Sequence, residues 1–134
     1  MYEYRIKEIT KIVDGDTIDA IIDLGFDILH SARIRLYGID TPESRTRDKV
    51  EKKYGLMAKK YLTECLKTDN PITLQTHKEE KGKFGRILGE IIIDDININN
   101  MMVENYHAVP YHGQSKEDID ELHMNNREKL NGDI

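Results

Sequence analysis

Five short apolar strands, a helix inserted among them and further helices after them predict a small closed β-barrel of the α+β class, with about three α-helices in all. Three observations carry this. Apolar and polar residues alternate at period two early in the chain; apolar residues then recur at i, i+3, i+4 and i+7 from Ala58 to Cys65; and strand-like runs return twice before helical spacing resumes. The 134 residues make one domain, long enough for a core of its own.

Tyr4, Ile6, Ile9, Ile12 and Val13 predict a first strand with one irregularity. In the second, Ile18, Ala20 and Ile22 alternate with Asp19, Ile21 and Asp23, and Leu24-Gly25-Phe26-Asp27 reads as the turn that follows. Residues 28–36 predict a third strand, with Ile34 and Leu36 on one face and Arg33 and Arg35 on the other, so both arginines point away from the core. Residues 38–42 predict a loop, because Pro42 disfavours helix at Thr41 and has no N–H to give a ladder.

Ala58, Tyr61, Leu62 and Cys65 predict a helix of roughly a dozen residues ending near Lys67, with Cys65 buried on its apolar stripe. Residues 72–76 and 87–93 predict two more strands joined across the charged turn 78–83, and Asp94-Asp95 closes the second. Helices are predicted over 99–106 and 116–129, the latter opened by Ser115 with Asp118 three residues on, a variant of the capping box. The tail from Asn131 to Ile134 is expected to fray.

Composition excludes several classes. A single cysteine, Cys65, allows no internal disulfide and no cysteine knuckle for a metal. No apolar run reaches the length of a membrane span. The start Met1-Tyr2-Glu3-Tyr4-Arg5 lacks the basic-then-apolar design of a signal peptide, so a cytoplasmic location is expected; a leader removed from a precursor would leave the same sequence. Nothing points to an obligate protein partner, and a monomer is expected.

The net charge is −5, yet residues 45–60 carry seven basic side chains against Asp48 and Glu51, and residues 94–134 carry nine acidic against three basic. Distribution outweighs the total: the basic run, Lys49 included, follows Glu43 closely and suits steering of a polyanion toward it. His30, His77, His107, His112 and His123 show no ligand spacing and are expected at surface or packing positions.

Chemistry concentrates in three stretches: Asp14-Gly15-Asp16-Thr17, then Arg33 to Glu43, then Lys83-Phe84-Gly85-Arg86. Asp16 and Asp40 offer oxygen to a hard cation with no His or Cys competing, which favours calcium or magnesium over zinc. Arg35 and Arg86 present planar forks that match a phosphate and the charge developing on it in a transition state. Glu43, three residues beyond Asp40, is placed to orient or deprotonate an attacking water.

In this order the three stretches resemble the signature of the staphylococcal nuclease (thermonuclease) family, over a span from about residue 9 to about residue 111. The resemblance implies the OB-fold for the whole chain and a calcium-dependent endonuclease acting on single-stranded or frayed DNA and on RNA, with water attacking phosphorus to leave 3′-phosphates. It implies one calcium ion bound by Asp16, Asp40 and the Thr41 backbone carbonyl, with Asp14 holding a metal-bound water. Arg35, Arg86 and Glu43 take the catalytic roles. Lys83 and Phe84 match positions that contact a terminal phosphate, although Phe84 lacks the hydroxyl of the tyrosine common there; Tyr111 matches a tyrosine lining the nucleotide pocket. The alternative is a catalytically silent OB-fold module that binds nucleic acid. Such a relative would be expected to have lost one of Arg35, Asp40, Glu43 or Arg86, and all four are present.

Overall fold

The computed structural model describes residues 2–77 and 87–132. In chain order the elements are β1 (Glu3–Asp14), β2 (Thr17–Asp23), β3 (Leu29–Leu36), β4 (Ile39–Asp40), α1 (Lys49–Leu66), β5 (Ile72–His77), β6 (Ile87–Ile93), β7 (Ile96–Asn97), α2 (Ile98–Glu104), β8 (Val109–Pro110) and α3 (Lys116–Gly132). The sheet runs β3-β2-β1-β5-β6-β7 and closes through a parallel pairing of β3 with β6, Ile34 opposite Ile87 and Leu36 opposite Gly89. Five strands thus form the closed barrel that the alternation predicts, an OB-like α+β fold with three helices among the described residues.

Closure depends on β1. Its first residues, Glu3 to Ile6, pair with β5 and residues from Arg5 to Asp14 pair with β2, and the register slips between Ile6 and Glu8, Ile9 and Lys11, and Ile12 and Asp14. The expected single irregularity is therefore three: each slip adds twist, and together they bend one long strand around the barrel. Inside lie Ile18, Ile22, Ile34, Leu36, Leu74 and Ile91, each almost fully buried, with Leu62 of α1 and Met102 of α2 capping them. Truncating one of these isoleucines or leucines to alanine costs about 2–5 kcal/mol.

α1 begins well before the helix read from the apolar spacing. Asp48 caps it, accepting the N–H groups of Val50 (3.0 Å) and Glu51 (3.1 Å), and the body then runs 18 residues. The buried stripe continues back through Tyr54 and Gly55, and glycine carries no apolar signal. Gly55 is small for a reason: a Cβ there would collide with the backbone of Glu43 and Ser44, so the helix lies directly against that segment. Cys65 is half-buried at the edge of the core rather than within it, and desolvation pushes its thiol above the ordinary value.

The segment 38–42, expected as a loop, contains β4, which pairs antiparallel with β8. β6 turns into β7 through Asp94 and Asp95, both at positive φ (53° and 65°), a conformation that Asp tolerates better than most residues. Buried Asn99 accepts the N–H of Ile91 and donates to the carbonyls of Tyr37 and Gly89, fastening the end of β3 to β6. Ser115 Oγ accepts the N–H of Asp118 at the start of α3. Asn131, expected in a frayed tail, belongs to α3 and accepts a hydrogen bond from the Tyr54 hydroxyl at 2.7 Å. No helix among the described residues is long and apolar enough to cross a membrane.

Candidate active site

Three segments converge at one end of the barrel: the β1–β2 turn with Asp14 and Asp16, the end of β3 with Arg35, and residues 40–44. Strand register begins the assembly, since Thr17 lies opposite Arg35 and brings the turn beside that arginine. The N–H of Leu36 donates to the Asp16 carbonyl at 2.8 Å. The Asp16 side chain then ties in the third segment: Oδ2 accepts the N–H of Thr41 at 3.1 Å, while Oδ1 accepts the Thr17 hydroxyl at 2.9 Å.

Between the carboxylates sits Arg35. Its Nη2 is 3.5 Å from Oδ2 of Asp16 and 3.6 Å from Oδ1 of Asp40, and its Nη1 donates to the Leu36 carbonyl at 2.9 Å. Arg33, on the same face, has a different fate. It forms a two-pronged surface pair with Asp19, at 2.8 and 3.1 Å, whose hydrogen bond holds the Asp19 carboxyl below its ordinary value. A pair this exposed adds little stability.

Asp14 is tied to Ser44. Its Oδ1 accepts both the N–H (3.2 Å) and the hydroxyl of Ser44, which is buried. Asp14 therefore anchors the segment next to Glu43, whatever it does for a water. Glu43 is exposed, its backbone backed by Gly55 and its N–H donating to Glu51 Oε2 at 3.3 Å. Its side chain borders a cleft of about 680 Å³ between residues 40–51 and α3, walled also by Asp40, Thr41, Glu51, His123 and Arg127.

The donor chemistry fits a hard cation. Asp16 and Asp40 bring two negative charges against one from Arg35, Asp16 is only 9% exposed, and the buried Thr41 hydroxyl has no hydrogen-bond partner among the described residues. All of these are oxygen ligands, as calcium prefers. No three His, Cys, Asp or Glu side chains gather into a ready-made cage among the described residues, so a backbone carbonyl such as that of Thr41 and water would have to complete the coordination.

Tyr111 and Lys49, also expected at the site, do not line that cleft. Tyr111 follows β8, is 43% exposed and donates its N–H to the Gly38 carbonyl at 2.8 Å. Lys49 opens α1 and shares a shallow groove with Lys52, Lys53 and Lys60, again outside that cleft. Lys83, Phe84 and Arg86 fall outside the described residues.

One residue at the site was missed. His123, expected at a surface or packing position, is buried in α3 with Nε2 2.7 Å from Oδ2 of Asp40. The signal available was the stripe Ile119, His123, Asn126, Arg127 and Leu130, at helical spacing and less exposed than the rest of the helix. The other histidines include two engaged in packing: His107 stacks on Tyr61 and His77 on Tyr37.

Comparison with known proteins places this geometry in context. The family model for staphylococcal nuclease homologues matches residues 33–130, starting after the Asp14–Thr17 stretch and running through most of α3. Endonuclease YhcR of Bacillus subtilis is 31% identical over 109 residues, covering 77% of this chain and 9% of that protein. A thermonuclease of Staphylococcus intermedius is 35% identical over 92 residues, 68% of this chain and 51% of its own length. An uncharacterized protein of Methanocaldococcus jannaschii is 28% identical over 127 residues, 82% of this chain and 58% of its own. The chain thus spans between a tenth and somewhat over half of the relatives it matches. A match across most of the chain, on a closed barrel, means that this protein belongs to the family of staphylococcal nuclease homologues.

Proposed function

We propose that this domain is a calcium-dependent endonuclease that hydrolyses phosphodiester bonds in single-stranded or frayed DNA and in RNA. The observation that carries the reading is the meeting of Asp16, Arg35 and Asp40 at one end of the barrel, from three segments of chain, with Glu43 lining a cleft that Asp40 also borders. The names of the endonuclease and thermonuclease relatives support it.

Asp16, Asp40 and the Thr41 carbonyl would hold the ion. Bound there, calcium supplies a positive charge beside the phosphoryl oxygens. Arg35, freed from the carboxylates, turns its fork to the non-bridging oxygens and binds most strongly as negative charge develops on them. Arg86 takes a parallel role on the strength of its sequence motif alone. Glu43 orients a water toward phosphorus and takes up its proton. The new P–O bond forms as the bond to the 5′-oxygen breaks, and that oxygen takes a proton from solvent water to leave as a 5′-hydroxyl, while Glu43 returns its proton to solvent; the other fragment keeps a 3′-phosphate. Lys49 and its neighbours on α1 would attract the polyanion, and Lys83, Phe84 and Tyr111 would contact the nucleotide.

Incubation with denatured DNA and with RNA across a metal series, followed by end-group analysis, tests the reading. Cleavage with calcium, little with magnesium, none in chelator, and 3′-phosphate ends are the expected results. Strong activity in chelator, zinc as the best metal, or 5′-phosphate ends would overturn it.

A further inference from the structure

Among the described residues of α3, His123 is the buried side chain, and it is buried against the site. Its Nε2 meets Oδ2 of Asp40 at 2.7 Å across 83 residues of sequence. The other oxygen of the same carboxylate, Oδ1, is the one that faces Arg35, at 3.6 Å, and Arg35 in turn faces Asp16. The two oxygens of Asp40 are thus divided. One is tied to α3 and the other is turned toward the shared space.

The tautomer follows from the surroundings. Nδ1 of His123 is buried without a partner among the described residues, so a proton there would be an unsatisfied buried donor. A proton on Nε2 instead gives Asp40 its hydrogen bond and leaves Nδ1 a bare lone pair. The helix is held in place independently of this bond: Asn126 Nδ2 donates to the Ala108 carbonyl at 3.1 Å, Tyr54 donates to Asn131 at 2.7 Å, and the Arg127 guanidinium lies 5.4 Å from the centre of the Tyr54 ring. α3 therefore presents His123 to Asp40 from a fixed platform.

We infer that His123 is a positioning residue for the cation site: by binding Oδ2 it holds the Asp40 carboxylate in one orientation, with Oδ1 directed at the space shared with Asp16. The inference rests on the calcium-site reading above and adds the C-terminal helix to the parts that complete the site. A ligand already oriented by a fixed donor loses less freedom when the ion binds, and such outer partners typically change metal affinity by about 10- to 100-fold.

The test is calorimetric titration of calcium chloride into the full chain, read beside far-UV circular dichroism of each variant. The parent should bind and Asp40→Ala should not. His123→Ala should bind about tenfold more weakly, whereas His123→Gln, whose amide N–H can take the place of Nε2–H, should stay within about threefold of the parent. His123→Asn, too short to reach Oδ2, should match alanine; the Gln and Asn pair decides the matter if the alanine variant does not fold. Equal calcium affinity in parent and His123→Asn would overturn the inference while leaving the site reading intact. Tighter binding in the Ala or Asn variants would also overturn it, since His123 would then compete with the ion. A parent that binds no calcium, or an Asp40→Ala variant that binds as well as the parent, removes the site reading and this inference together.

Discussion

Arg35 lies 3.5 Å from Asp16, Nη2 to Oδ2, with the two side chains 15% and 12% exposed. The separation exceeds the roughly 2.7–2.9 Å of a charge-assisted hydrogen bond. Nη1 is meanwhile committed to the Leu36 carbonyl. The guanidinium thus offsets part of the carboxylates' charge without gripping them, and its one close hydrogen bond is to the Leu36 carbonyl rather than to either carboxylate.

Calcium should therefore stabilise the folded chain even without substrate. At a free concentration about one hundred times the dissociation constant the gain is about 2.7 kcal/mol, seen as a rise in Tm that chelator reverses. Asp16→Asn should abolish the rise, and magnesium, with its stricter octahedron, should give a smaller one. Differential scanning calorimetry with calcium, magnesium and chelator checks this; an unchanged Tm in saturating calcium would contradict the ligand assignment.

Glu43→Gln keeps the shape of the side chain but removes its charge and basicity. Because the backbone at Glu43 is set by Gly55 and Ser44, folding and nucleotide binding should be spared while kcat falls by about 10²–10⁴. Arg35→Lys retains charge but not the fork and should also lose orders of magnitude in rate. Single-turnover cleavage of a short labelled oligonucleotide measures both; parental rates in both would remove Glu43 and Arg35 from the catalytic roles given them, and a parent that binds the oligonucleotide without cutting it would favour the binding module.

Lys49, Lys52, Lys53 and Lys60 line one groove of α1, and among the described residues none pairs with a carboxylate. Replacing Lys49, Lys52 and Lys53 by Ser should raise KM with kcat little changed and flatten the dependence of binding on salt. Fluorescence anisotropy on single-stranded DNA at several salt concentrations would show this. A slope equal to the parent's would mark the stripe as a solvated face.

Burial pushes the His107 imidazole below its ordinary value of 6.5, and its Nδ1 is buried without a partner among the described residues. As pH falls through about 6.5 the unfolded chain takes up a proton there while the folded chain does not, until its own lower value is reached. The unfolded state binds more protons in that window. Stability is therefore at its full value above the window and falls as pH decreases through it. Urea melts at about pH 7.5 and about pH 5.5 should show a smaller loss for His107→Gln than for the parent, and an equal loss would place the effect in other groups.

The barrel strands were legible because burial at period two is a local property: Ile18, Ala20 and Ile22, or Ile91 and Ile93, announce their face within a few residues. The motif residues Asp16, Arg35, Asp40 and Glu43 were legible in the same way, since each sits in a short stretch of distinctive chemistry. The start of α1 was not, because Gly55 occupies the stripe where the helix presses on Glu43, and glycine has no hydropathy to read. β4 exists only because Val109 and Pro110 arrive beside Ile39 and Asp40 once the chain has folded. The same holds for Asp14 with Ser44, 30 residues apart, and for His123 with Asp40, 83 apart. Sequence alone determined which residues prefer strand, helix or turn and which carry the chemistry, through constraints between near neighbours. Which of those groups meet was decided by closure of the barrel and docking of α3, since contacts between distant residues form only when the whole core packs.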